Sequence, residues 1–306
     1  MDYRGLSAKC HQMIRENADL NALITYVCSD PDCNVEIRHN YLNCYYKGGS
    51  LFRMELKPRS AQKLAFTFNA KYFHLKNMAH AEYSDLEKWH AAKPCKPKEW
   101  LDHLPELKCV MDAWFAENPK AERGIQGRLV KQNVFANGKY QSVDIELAIP
   151  NNQQAGRMDI IAVRREAEAG RYIPVIVELK HGMGAVSGKS GIGEHYKKTV
   201  GFLSGAVGDG LTGEAYLIET IRRIWTSKKE LGLICEPVPK KEQFGTPELM
   251  FAVTGLAGGN TDKNVSTVRS LLPEEAEKYA VRIVISANEE LRFDQENVLL
   301  QAKPRS

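Results

Sequence analysis

The chain has 306 residues, of which 43% are hydrophobic and 26% are charged. This composition is typical of a globular protein with one large core or two smaller ones, and we expect two domains. The apolar runs are much shorter than the roughly 20 residues of a membrane helix, so we expect a cytoplasmic protein with no membrane partner. A net charge of +4 permits a polyanionic partner but is weaker than that of a dedicated DNA-coating domain.

The first domain is predicted to span residues 1–105. Apolar residues at helical spacing predict one helix over residues 6–27, which ends at the turn residues 29–32. Alternation around Gly48 and Gly49 and a further run from Leu64 predict an antiparallel meander of three strands, so residues 1–75 form a small α+β module. The polar stretch up to Pro105 is interpreted as a helical or irregular connector.

Two features of this domain leave alternatives open. The pair Cys28 and Cys33 resembles half of a zinc site, but no second pair follows at a suitable spacing, and the odd total of seven cysteines favours reduced thiols. Aromatic and basic residues on the predicted strands either stack and grip a single nucleic-acid strand or belong to the core. They are Arg38, Tyr41, Tyr45, Tyr46, Lys47, Phe52 and Arg53.

The second domain is predicted to span residues 106–306. Two amphipathic helices are separated near Asn118 and Pro119, because proline disfavours a helical conformation in the residue before it. Three strands, two helices, a strand, a helix and a last strand follow. The predicted strands are 142–149, 157–165, 172–180, 248–256 and 280–287, and the helices between them are 192–206, 213–231 and 264–272. A meander followed by crossovers predicts an α/β (α+β) fold, a mixed sheet with helices on its faces.

The glycine-rich stretch after the third of these strands resembles a phosphate-binding P-loop. That motif requires a glycine five residues before Gly188-Lys189-Ser190, where the chain has Met183. A loop of the wrong length directs its N–H groups elsewhere. We therefore interpret residues 182–190 as a flexible loop beside a site, with nucleotide hydrolysis as a remote alternative.

Two carboxylates and a lysine are the strongest catalytic candidates. Residues two apart on a strand point to the same face, so Glu178 and Lys180 project together. A hairpin turn centred on residues 168 and 169 would place Asp159 opposite Glu178. Glu55-Leu56-Lys57 has the same pattern with no evident aspartate partner, and we interpret it as structural.

This set of groups suits a magnesium ion, which takes one or two carboxylates together with water and substrate phosphate. Asp159 and Glu178 are the predicted ligands, and the backbone carbonyl of Leu179 is an additional one. Lys180 would orient or deprotonate the attacking water, or counter the charge that builds on the phosphate. Phosphodiester hydrolysis is the reaction that these groups predict.

The ordered set of residues resembles the PD-(D/E)XK nuclease superfamily, which has the restriction-endonuclease-like fold. The resemblance covers residues 121–255, with Met158-Asp159 in place of proline-aspartate and Glu178-Leu179-Lys180 as the second half of the motif. It implies a helix carboxylate that completes the metal site, matched by Glu122, with Gln126 as an accessory group. It also implies a polar residue on the next helix, matched by His195 and less well by Tyr196 and Lys197.

The sequence therefore predicts a Mg²⁺-dependent DNA nuclease, with Mn²⁺ as an alternative ion. Glu146 is either a further contact to the metal site or a solvent-facing charge. The expected partner is nucleic acid, DNA in the first place, and a homodimer is left open. A catalytically silent nucleic-acid-binding or regulatory protein on the same fold is the alternative function.

Overall fold

A computed structural model of the chain describes residues 3–75, 83–119, 121–135, 138–148, 157–207, 210–256, 261–276, 278–287 and 291–301. The chain divides into two compact units. The N-terminal unit comprises residues 4–127 and 226–236, and the C-terminal unit comprises residues 1–3, 128–225 and 237–306. Within the described ranges the fold is mixed α/β, with eight α-helices and two sheets.

The N-terminal unit begins with two helices, α1 (Ala8–Glu16) and α2 (Ala18–Ser29), so the prediction of one helix is wrong. Asn17 separates them with an extended backbone at φ −109° and ψ 103°. Its side-chain oxygen accepts a hydrogen bond from the Leu20 N–H at 2.9 Å. Asparagine is a preferred helix N-cap, and this cap starts a new helix within an otherwise continuous apolar pattern.

The sheet of this unit has four antiparallel strands, where three were predicted. They are β1 (Cys33–Ile37), β2 (Tyr41–Tyr46), β3 (Gly49–Leu56) and β4 (Leu64–Thr67), in that order. The first predicted run divides at Asn40, which has the left-handed φ of 52°. Lys47 and Gly48 connect β2 to β3 with positive φ values of 46° and 78°. Two positive φ values are typical of a tight hairpin turn, as predicted at this point.

Two further helices of this unit are α3 (Ser84–Ala91) and α4 (Pro97–Glu117). Helix α4 continues through Pro105, the residue at which the predicted connector and the predicted first domain end. The apolar spacing explains this result, since α4 buries residues on both sides of the proline, namely Trp100, Leu104, Leu107 and Met111. The division predicted between residues 105 and 106 thus falls inside a single helix.

Most of the aromatic candidates on the strands belong to the core of the N-terminal unit. Tyr45, Tyr46 and Phe52 are between 0% and 6% exposed, so the interpretation of these rings as core is confirmed. Lys47 forms an ion pair with Asp112 at 2.7 Å. The buried rings offer no face on which a nucleic-acid base could stack.

The C-terminal unit is built around a six-stranded mixed sheet in the order β10-β9-β8-β7-β6-β5. Strands β5 to β7 form an antiparallel meander, β7, β8 and β9 are parallel, and β10 is antiparallel to β9. The strands are β5 (Tyr140–Ala148), β6 (Arg157–Glu166), β7 (Arg171–His181), β8 (Glu248–Thr254), β9 (Val281–Ile285) and β10 (Asn297–Leu300). The helices are α5 (Ala121–Gln132), α6 (Ile192–Ser204), α7 (Gly213–Glu230) and α8 (Thr261–Ser270). Helix α5 starts in the N-terminal unit, and helix α7 ends in the N-terminal unit.

The central strands of this sheet are buried on both faces. Every residue of β8 is buried, and so are residues 173–180 of β7. Parallel strands covered by helices on both sides need near-continuous apolar runs, which is the pattern that the sequence shows there. The described helices include none that is both long and apolar enough to cross a membrane.

Candidate functional site

The β6–β7 hairpin brings Asp159 and Glu178 to neighbouring positions. Its residue pairs run from Glu166 and Arg171 at the turn to Ile160 and Val177. This is the predicted register, and its next step places Asp159 opposite Glu178. The Leu179 N–H donates a hydrogen bond to Oδ2 of Asp159 at 2.9 Å. Because directly opposed residues of an antiparallel pair point to one face, the two carboxylates share a face of the sheet.

Glu178 lies at the centre of a small cluster of polar side chains. Its Oε1 accepts a hydrogen bond from Nζ of Lys180 at 2.8 Å and lies 3.0 Å from Nδ1 of His195. The side chains of Glu178 and Lys180 are only 10% and 9% exposed, and that of His195 is 23% exposed. The cluster is therefore largely shielded from water, which strengthens each electrostatic interaction within it.

The backbone of Leu179 also faces this position. A residue in a strand directs its N–H and its C=O toward the same neighbouring strand. The N–H of Leu179 is directed toward β6, where it meets the Asp159 side chain. The carbonyl oxygen of Leu179 is consequently directed toward the same side, and its role as a metal ligand stays a prediction.

His195 reaches the cluster because α6 begins directly after the glycine-rich loop. Gly191 is the N-cap of α6, and its carbonyl accepts the hydrogen bond from the His195 N–H at 3.1 Å. Gly188, Lys189 and Ser190 precede this helix and are exposed. A P-loop keeps the N–H groups that lead into its helix for phosphate. Here the N–H groups of Gly191 and Ile192 donate to the carbonyls of Gly188 and Val186 at 3.0 and 2.8 Å, which does not favour a P-loop.

Glu146 extends the row of acidic residues onto a third strand. On either side of it, β5 pairs Ile145 with Ile160 and Leu147 with Met158, which places Glu146 opposite Asp159. Its φ is 50°, a left-handed value that costs about 1–2 kcal/mol in an L-residue. A β-bulge in the same strand shifts the register between Ser142 and Asp144. Strain and bulges of this kind are concentrated at functional sites.

The remaining predicted site residues lie on helices. Glu122 is exposed in the first turn of α5, and Gln126 is 6% exposed one turn later. Both belong to the N-terminal unit, so their part in the site stays a prediction. Lys197 is exposed and pairs with Glu194 of its own helix at 3.2 Å. Tyr196 is half-buried beside it.

His181 is a residue of this region that the sequence analysis missed. It ends β7, and its Nδ1 lies 3.2 Å from Oγ1 of Thr254, which ends the parallel strand β8. A Cβ on Gly255 would come within 2.5 Å of the His181 ring, so the absence of a side chain there makes room for it. The only sequence signal was its position directly after Glu178-Leu179-Lys180.

The donor set fits a hard divalent cation in part. Two carboxylates and one backbone carbonyl are oxygen ligands of the kind that Mg²⁺ prefers, with water and substrate filling the other positions. Within the described residues, no group of three or more His, Cys, Asp or Glu side chains is arranged to hold a metal ion. The same result means that Cys28 and Cys33 do not belong to such a group either, as a zinc site there would require. The chemistry left open is that of a metal held by two carboxylates.

No protein-family model matches this chain, and no curated protein or solved structure matches it either.

Proposed function

We propose that the protein is a Mg²⁺-dependent nuclease that hydrolyses phosphodiester bonds of DNA. One observation carries this proposal: the β6–β7 register, continued one step beyond Ile160 and Val177, sets Asp159 opposite Glu178, and the Lys180 ammonium lies 2.8 Å from Glu178. Nuclease chemistry needs acidic ligands for a cation and a base or proton donor beside them. The cluster provides both in a shielded position.

The arrangement of the elements supports the same proposal. Helix α5, the antiparallel meander β5-β6-β7, helix α6 and the parallel strand β8 follow one another in the chain, although α7 intervenes before β8. This is the order expected of a restriction-endonuclease-like core. We propose that fold for residues 121–255, in a cytoplasmic protein.

Each residue of the cluster has a distinct proposed role. Asp159, Glu178 and the Leu179 carbonyl hold the ion, which is Mg²⁺ or Mn²⁺ and supplies Lewis-acid chemistry at the phosphate when bound. Lys180 orients the attacking water or counters negative charge on the phosphate. His195, in contact with Oε1 of Glu178 at 3.0 Å, holds that carboxylate in place. Glu122 and Gln126 are the proposed helix carboxylate and its accessory group.

Cleavage assays with matched variants test this function. Wild-type protein is incubated with single- and double-stranded DNA and RNA in the presence of Mg²⁺, Mn²⁺ or EDTA. We expect cleavage of DNA that EDTA abolishes, and loss of at least 100-fold in rate for Asp159→Ala and for Lys180→Ala. Lys57→Ala is the control, because Lys57 belongs to Glu55-Leu56-Lys57, the same three-residue sequence at the end of β3, and pairs with Glu55 at 2.7 Å.

The alternatives give different results in the same assays. A catalytically silent binding protein would retain DNA without cutting it, and wild-type and variant chains would behave alike. Nucleotide hydrolysis through the glycine-rich loop would release phosphate from ATP and would survive Asp159→Ala. Either result would overturn the proposed nuclease.

A further inference from the structure

Arg157 lies beside the candidate site and has no role assigned above. It is two residues before Asp159 on β6, so both side chains point to the same face of the sheet. The separation along the strand is about 7 Å at the usual rise per residue. The Arg157 side chain is 52% exposed. A permanent positive charge therefore stands in solvent next to the two carboxylates.

Glu146 anchors this arginine. Nη1 of Arg157 lies 3.4 Å from Oε1 of Glu146, whose side chain is 17% exposed. This separation is longer than the 2.7–2.9 Å of a close charge-assisted hydrogen bond, and a guanidinium has five N–H donors. The contact holds the arginine on the site's face while most of its donors stay available.

We propose that Arg157 binds a phosphate of the DNA strand adjacent to the scissile phosphate, and that Glu146 is its positioning residue. This inference rests on the nuclease function proposed above. The planar guanidinium matches the geometry of a phosphate with two parallel hydrogen bonds, which an ammonium cannot reproduce. Its distance from Asp159 along β6 favours a neighbouring phosphate rather than the one under attack.

A second arginine on the same hairpin provides a matched control. Arg171 lies at the opposite end of the β6–β7 pair, and its Nη2 is 3.5 Å from Oε2 of Glu166. Its side chain is 58% exposed, so the two arginines have similar solvent access and similar partners. They differ in their distance from Asp159 and Glu178. Substituting each in turn separates a local effect from a general loss of positive charge.

The test measures cleavage and binding for Arg157→Ala, Arg157→Lys, Glu146→Gln and Arg171→Ala. For Arg157→Ala we expect KM for DNA to rise about tenfold, as loss of a charged hydrogen bond implies, while kcat changes less than threefold. Arg157→Lys should recover only part of this loss. The slope of log affinity against log salt, measured with Ca²⁺ in place of Mg²⁺, should fall by about 0.9 for duplex DNA.

A separate comparison tests whether Glu146 positions Arg157. Glu146→Gln should raise KM in the wild-type background and have no further effect in the Arg157→Ala background, because the two residues act as a unit. Equal KM and salt slope in Arg157→Ala and Arg171→Ala would overturn the inference while leaving the nuclease intact. A wild-type protein that cuts no substrate would overturn the nuclease itself.

Discussion

Glu178-Leu179-Lys180 lies within β7, and Glu55-Leu56-Lys57 lies at the end of β3. The two lysines are expected to differ in what they contribute to stability. Lys180 and Glu178 are 2.8 Å apart with side chains 9% and 10% exposed. Lys57 and Glu55 are 2.7 Å apart with side chains 47% and 30% exposed. The bond lengths match and the burial does not, so replacing each lysine by methionine isolates the effect of burial.

The size of the difference follows from the cost of an unpaired buried charge. Breaking a buried ion pair by removing one partner costs about 3–5 kcal/mol, whereas an exposed pair contributes about 0.2–1 kcal/mol. Glu178 retains its contact with His195 and Glu55 retains Arg53 at 2.7 Å. We therefore expect Lys180→Met to cost roughly 2–4 kcal/mol, below the full range for a buried pair, and Lys57→Met to cost less than about 1 kcal/mol.

Thermal unfolding followed by circular dichroism measures both values. A loss of this size at Lys180 corresponds to a fall of roughly 5–10 °C in Tm. Adding Glu178→Gln to Lys180→Met removes the stranded charge and should restore part of the loss. If Lys180→Met and Lys57→Met lower Tm equally, or if the double variant is the least stable, the argument from burial is refuted.

Two further predictions concern the N-terminal unit. Burial lowers the pKa of His11 from its usual value of about 6.5, so the unfolded chain binds the proton more tightly and stability is lost as pH falls below about 6.5. Urea unfolding between pH 7 and pH 5 should show this loss reduced in His11→Leu, and an unchanged pH dependence would contradict it. Glu36→Gln should cost about 3–5 kcal/mol, because it strands Lys228, which is paired with Glu36 at 2.9 Å and 5% exposed. The exposed pair of Arg15 and Glu230 is the control, and a similar urea midpoint for Arg15→Ala and Glu36→Gln would refute the reasoning.

The register of the central hairpin could be predicted from the sequence, because two strongly alternating strands joined by a short turn allow few alignments. The pairs from Glu166 and Arg171 to Ile160 and Val177 consequently have the register that the spacing predicted. The division of the N-terminal helix and the passage of α4 through Pro105 could not be predicted in this way. At Asn17 a side-chain cap ended a helix that the apolar pattern would have continued, and at Pro105 packing of one face maintained a helix that proline alone would have ended.

Contacts between distant parts of the chain were harder to predict. Nothing in the spacing fixes the contact of His195 with Glu178, which depends on how α6 leaves the loop. The sequence around Glu146 does not indicate its left-handed backbone conformation. Arg157 was overlooked because exposed arginines are common on strands. Strand β10 is only four residues long, too short for alternation to be recognised.

The central claim is that Asp159 and Glu178 share one divalent cation. Anomalous diffraction from crystals soaked in Mn²⁺ tests it most directly, with Asp159→Asn crystals treated in the same way. We expect one strong anomalous peak about 2.0–2.5 Å from a carboxylate oxygen of each residue and from the Leu179 carbonyl oxygen, and no such peak in the variant. A wild-type crystal without a peak between these carboxylates, or a variant that retains it, would contradict the account.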